Sequence, residues 1–195
     1  VEGPDEWVDD GARLPEPGRR LRAVATPGHT QGHVVFHDPV RGLWFSGDHV
    51  LPHITPSIGF ESAPVPTALG DYLSSLRRVL AEPDGRLLPA HGPVGDSLHD
   101  RARELLEHHE ERLRGTLDAV ADAGSTAYEV AQRLRWTRQQ RSFPDLHPWH
   151  RYLAATETSA HLEVLVGRGA VEVATPRRAE GGGTQVFRPT GRGVA

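Results

Sequence analysis

The sequence predicts an α/β chain built in two parts. Residues 1–97 read as sheet and helix, residues 125–195 as a small α+β part, and residues 98–124 as the helix between them. Three observations carry this. Short β-rich apolar runs alternate with amphipathic stretches over the first hundred residues. A long helical stripe follows. The charge then changes sign: residues 1–100 hold 8 Arg against 14 acids, whereas residues 125–195 hold 10 Arg against 6 acids. Such an asymmetry marks separate units, and 195 residues suit one medium domain or two small ones.

Residues 1–19, rich in Pro, Gly, Asp and Glu, read as irregular structure. Leu21 to Thr26 reads as a strand ended by Pro27-Gly28, His33 to His37 as a second, and Leu43 to Ser46 as a third across the turn Asp38 to Gly42; together they make a hairpin or meander. Gly47 to Pro66 is punctuated by prolines and glycines and reads as loop. In Thr67 to Ala81 the spacing of Leu69, Leu73, Leu76 and Leu80 predicts a helix with one buried face. Arg86 to Pro89 is a short strand that delivers Ala90-His91-Gly92 into a loop.

Ser97 can cap a long amphipathic helix over Leu98 to Ala123, ended by Gly124. Its stripe is Leu98, Ala102, Leu105, Leu106, His109, Leu113, Leu117 and Val120. Further helices are expected over Thr126 to Leu134 and Pro148 to Arg168. Short strands at Val171 to Ala174 and Gln185 to Phe187 flank a flexible tip at Gly181-Gly182-Gly183. A lead-in helix, two helices and a hairpin is the element order of a winged helix.

Composition narrows the chemistry. There is no cysteine, which excludes disulfides and thiolate–zinc sites from these residues. Any metal is left to His, Asp and Glu, and histidine is abundant, at 12. No apolar run approaches the ~18–20 residues of a membrane span and no signal-like N-terminal segment is seen, so a cytoplasmic location with no membrane partner is expected.

Three segments carry candidate chemistry. In Thr26-Pro27-Gly28-His29-Thr30-Gln31-Gly32-His33 a histidine sits on a tight turn directly after a strand. That fixes an imidazole at the sheet edge, as a zinc ligand requires. In Phe45-Ser46-Gly47-Asp48 a carboxylate stands at the end of an apolar strand, where it can bridge two cations. In Leu87-Leu88-Pro89-Ala90-His91-Gly92 another histidine follows an apolar strand.

As a set and in this order, these motifs resemble the later metal motifs of metallo-β-lactamase-fold hydrolases, over residues 7 to about 97. The resemblance implies the second half of an αβ/βα sandwich. It implies His29 as a ligand of the first zinc, Asp48 as the bridge between two zincs, and His91 as a ligand of the second. The reaction it implies is hydrolysis of an ester, thioester or phosphodiester bond by metal-activated hydroxide. The family's first metal motif, His-x-His-x-Asp-His, is not in this sequence, and no histidine precedes His29. Each zinc would keep one His and the shared Asp, too few for a tetrahedral site with one open position. The expectation is therefore weak zinc binding by this chain alone, with an N-terminal half-domain needed to complete the site.

His33, four residues after His29, is a candidate for orienting the ligands from outside the metal shell, or equally a structural hydrogen-bonded histidine. His49 and His53 are candidates for facing substrate, with solvated loop positions as the alternative. His108 and His109 read as surface and groove residues, and His37, His99, His147, His150 and His161 as structural. From about Arg101 the chain resembles the winged helix that follows the hydrolase domain in one branch of the family. Arg133, Arg135, Arg138 and Arg141 gather around Trp136 in sequence, an aromatic and basic patch that could contact nucleic acid. A module that binds nucleic acid or protein on an inactive scaffold is the alternative to the enzyme.

Overall fold

The computed structural model describes residues 7–15, 18, 20–58, 61, 65–175 and 184–193. They divide into two compact units, Val1–Ile58 with Gly70–Leu106, and Gly59–Leu69 with Glu107–Ala195. One break falls inside the long helix α2 (Leu98–Asp118), between Leu106 and Glu107, whereas the sequence places boundaries at 97 and 124.

The first unit holds a four-stranded sheet in the order β1 (Arg22–Ala25), β2 (Val34–Asp38), β3 (Leu43–Gly47), β4 (Arg86–Pro89). The first three form an antiparallel meander, and β4 runs parallel to β3. The turn between β2 and β3 has a local cause. The Asp38 carboxylate accepts from the backbone amides of Val40 and Arg41, both at 3.2 Å, which folds the chain back on itself. A parallel pair cannot be closed by a short turn, and the connection from β3 to β4 carries α1 (Ala68–Leu80).

Alternation gives the sheet two faces. Val24, Val35, Trp44 and Leu87 are buried, whereas Val34, Phe36, Phe45 and Leu88 are only half-buried. Trp44 anchors the buried face: it stacks on His37 with ring centres 3.9 Å apart and donates its indole N–H to the Pro83 carbonyl at 3.1 Å. Helix α1 buries Leu69, Tyr72, Leu73, Leu76 and Val79; Val79, rather than Leu80, closes the stripe expected from the leucine spacing.

In the second unit α3 (Ala127–Arg133) starts at a capping box. The Thr126 hydroxyl accepts from the Glu129 amide while the Glu129 carboxylate accepts from the Thr126 amide, pairing two otherwise orphaned donors. A two-stranded ribbon, β5 (Arg135–Trp136) with β6 (Arg141–Ser142), and a 3-10 turn (Phe143–Asp145) come next. None of these was expected from the sequence. Then come α4 (Pro148–Gly167) and the antiparallel pair β7 (Val171–Thr175) and β8 (Val186–Pro189). The tip at Gly181-Gly182-Gly183 lies outside the described residues. Val130, Phe143, Leu162, Leu165 and Phe187 form the buried interior.

Two sequence expectations change here. His109, expected on the apolar stripe as a groove residue, is buried and paired, its Nδ1–H donating to His161 Nε2 at 3.3 Å. Trp136 is buried, donates to the Ala131 carbonyl at 2.9 Å, and lies under the Arg112 guanidinium at 4.4 Å. The indole around which the arginines gather in sequence is thus packed inside, because a ring that finds both an apolar bed and a carbonyl for its N–H is better buried than exposed. Among the described residues, no helix is long and apolar enough to cross a membrane.

Candidate metal centre

The ends of three strands bring His29, Asp48 and His91 together. Gly28 makes the first placement possible. Its φ is +136°, and a Cβ there would lie 2.4 Å from Tyr72 Cβ, so only glycine lets the turn sit on α1. His29 donates Nδ1–H to the Ser57 carbonyl at 2.7 Å. This holds the ring in place with Nε2 3.9 Å from Asp48 Oδ2.

Asp48 follows an irregularity between β3 and β4: Phe45 pairs with Leu88 and Gly47 with Pro89, so Ser46 is an extra residue. The Ser46 hydroxyl donates to the Val50 carbonyl at 2.8 Å and its carbonyl accepts from the His49 amide at 3.0 Å. On the other side of Asp48, His91 Nε2 lies 3.4 Å from Oδ1. Oδ1 is buried and meets no hydrogen-bond partner among the described residues. A charged oxygen left in that state is costly, and a cation is the group that would satisfy it. Two imidazole nitrogens and a carboxylate are a donor set that suits zinc. No group of three or more His, Cys, Asp or Glu side chains among the described residues is arranged to hold an ion as they stand.

His33 joins these parts. Its Nε2 accepts from the Asp48 amide at 3.2 Å, so its Nδ1 carries the proton and donates to the Thr26 hydroxyl at 2.8 Å. Burial, and secondarily the neighbouring His29, lowers its pKa and keeps this neutral tautomer in place. Gly47 at φ +52° makes room for it, since a Cβ there would stand 2.9 Å from His33 Nε2.

The two loop histidines separate. His49 is fully buried beside Tyr72, at a ring-centre distance of 5.2 Å, and burial depresses its pKa to about 3. That placement fits neither a solvated loop position nor a contact with substrate. His53 is exposed. It lies on a segment held by Arg101, which donates to the Leu51 carbonyl at 2.7 Å and the Ile54 carbonyl at 3.2 Å. Sequence reasoning gave no role to Thr26, Ser57, Tyr72 or Ser75. Hydroxyls and carbonyls in loops carry no pattern that singles them out.

Comparison with known proteins bears on the same residues. Residues 1–91 match the metallo-beta-lactamase superfamily model. The chain is 34% identical over 116 residues to the beta-lactamase-like protein 2 homolog of Caenorhabditis elegans, a match that covers 60% of this chain and 37% of that protein. It is 35% identical over 113 residues to the lactamase-like protein nscB of Aspergillus fumigatus, covering 58% of this chain and 32% of that protein. The chain thus spans about a third of the curated relatives it matches. Among solved structures, a metallo-beta-lactamase family protein of Thermus thermophilus is 32% identical at a TM-score of 0.70, covering 93% of this chain and 53% of that one. A beta-lactamase domain protein of Burkholderia ambifaria is 26% identical at a TM-score of 0.79, covering 96% and 53%.

Proposed function

We propose, from the match of residues 1–91 to the metallo-beta-lactamase superfamily model, that this chain supplies part of the site of a zinc-dependent hydrolase of ester, thioester or phosphodiester bonds. His29 and His91 would each help to hold one of two zinc ions, Asp48 would be shared between them, and the remaining donors would come from a segment outside these 195 residues. The observation that carries this reading is the Asp48 carboxylate, with one oxygen toward each imidazole and Oδ1 buried without a hydrogen bond.

Zinc in such a site polarises the scissile group and draws the pKa of a water toward neutrality. The rest is the work of this chain's own groups. The Ser57 carbonyl orients His29. His33, as a neutral donor and acceptor, holds the Asp48 backbone at the sheet edge. His91, 71% exposed at its side chain, lies on the side open to solvent. His53 is the candidate for substrate contact. The half-buried face of Val34, Phe36, Phe45 and Leu88 is where a second sheet layer would pack.

The test compares this chain alone with a longer protein in which an N-terminal His-x-His-x-Asp-His segment is joined to it to complete the site. The longer protein is expected to hydrolyse bis(p-nitrophenyl) phosphate or a simple thioester, to stop with EDTA, and to lose the activity in Asp48→Asn. The chain alone is expected to bind zinc weakly. Tight equimolar zinc in the isolated chain, or full activity of the Asp48→Asn protein, would overturn the reading.

A second reading has its own observation. The second unit follows the helix, helix, hairpin order of a winged helix, and Trp149 and Tyr152 on α4 are both more than half exposed with rings stacked 5.6 Å apart. Exposed aromatics offer stacking surfaces to unpaired bases. RNA or DNA binding that weakens steeply with salt and survives EDTA would favour a binding module.

A further inference from the structure

We propose that Tyr72 and Ser75, two buried residues one turn apart on α1, are positioning residues that set the separation of the His29 turn and the Asp48 loop. The proposal rests on the metal-site reading above for its purpose, but not for its geometry. The Ser75 hydroxyl donates to the Pro27 carbonyl at 2.9 Å, and the Tyr72 hydroxyl donates to the His49 carbonyl at 3.0 Å. Pro27 stands two residues before His29, and His49 directly follows Asp48. A single helix turn therefore grips both ligand-bearing segments by their backbones.

The grip is tight. A Cβ on Gly28 would fall 2.4 Å from Tyr72 Cβ, 2.5 Å from its Cα and 2.6 Å from its N, so the turn lies directly on the helix backbone. Tyr72 is fully buried and Ser75 nearly so. Burial pushes the phenol pKa up, keeping it a donor at any ordinary pH. Packing alone asks only for shape, and phenylalanine and alanine would fill these places. The hydroxyls are explained by the two carbonyls they pair, the His49 carbonyl in a buried bond and the Pro27 carbonyl in a part-buried one, and losing the donor is costlier at the buried carbonyl. Thr26, His33 and the Asp48 amide link the same two segments by a second route. With struts on both sides, neither segment can slide without breaking a buried hydrogen bond.

The experiment uses the whole chain and the variants Tyr72→Phe and Ser75→Ala, which keep the packing. Amide hydrogen exchange is read by NMR at Asp48 and His49, with Val35 and Phe36 in β2 as the reference for global opening. The expected result for Tyr72→Phe is exchange at Asp48 and His49 accelerated about tenfold beyond any change in β2. Uniform acceleration, or none, would show that Tyr72 only packs, and would overturn the proposal. In parallel, Zn2+ is titrated while the ring resonances of His29 and His91 are followed. Both variants are expected to need severalfold more Zn2+, and unchanged affinity in both would also overturn the proposal. A wild-type chain whose ring resonances ignore Zn2+ would fit a site that needs further donors; the metal-site reading then stands or falls on the completed protein, and the exchange measurement decides the role of α1.

Discussion

His33 receives the Asp48 amide on one ring nitrogen and gives its proton to Thr26 with the other, so one neutral imidazole spans two loops. Neither alanine nor leucine can do both. His33→Ala is expected to lower zinc affinity of the completed site about tenfold, the low end for a group that orients metal ligands; calorimetric titration checks it. Gly28→Ala is expected to be worse for the fold than for the metal. It adds a side chain at φ +136° and drives it into α1, which should cost at least about 2 kcal/mol in urea unfolding. That His29, Asp48 and His91 lie near one another was foreshadowed by polar residues placed soon after apolar strands, whereas their reading as metal ligands came from the family resemblance. The Ser57 carbonyl that orients His29 was not legible, because every residue has a carbonyl and only the fold chooses one. His49 misled for a related reason: adjacency to Asp48 in sequence says nothing about which way a loop turns its next side chain.

Helices α2 and α4 meet through a buried histidine pair, and this makes the element sensitive to acid. His161 Nδ1–H donates to the Glu157 carbonyl at 2.8 Å, leaving Nε2 to accept from His109. Burial lowers both pKa values, that of His161 to about 4, with Arg112 adding to the effect for both. The unfolded chain takes up protons below about pH 6.5, where the folded pair does not. Stability should therefore fall as pH drops from about 6.5 toward 4, by up to ~1.4 kcal/mol per pH unit for each histidine. Thermal unfolding across this range checks the slope, and a His109→Leu, His161→Leu protein should flatten it. For α3, Thr126→Ala removes the capping box at a cost of about 1 kcal/mol. The helices were legible in their leucine and alanine spacing. The β5–β6 ribbon was not, since two-residue strands leave no period to read.

Across the whole molecule, the two faces of the sheet should respond differently to substitution. Trp44→Ala is expected to cost ~3–5 kcal/mol, as for a large buried ring. Phe45→Ser, on the half-buried face one residue later, should cost within about 1 kcal/mol in this chain, and much more in the longer protein if a second layer packs there. Denaturant midpoints in both proteins check the contrast. The two compact units do not follow the charge asymmetry read from composition: Gly59–Leu69 goes with the second unit and one break lies inside α2, because a continuous helix carries no sequence mark where its neighbours change. The extra residue at Ser46 has one more consequence. It acts as a one-step phase slip in a two-step code: Phe45 is still counted with the sheet, and Asp48 is not. Deleting Ser46 would let β3 and β4 zip in step through Pro89 and leave most of the fold readable. It would also turn Asp48 out of line with both histidines, so this site should tolerate changes of residue type at that position far better than any change in count.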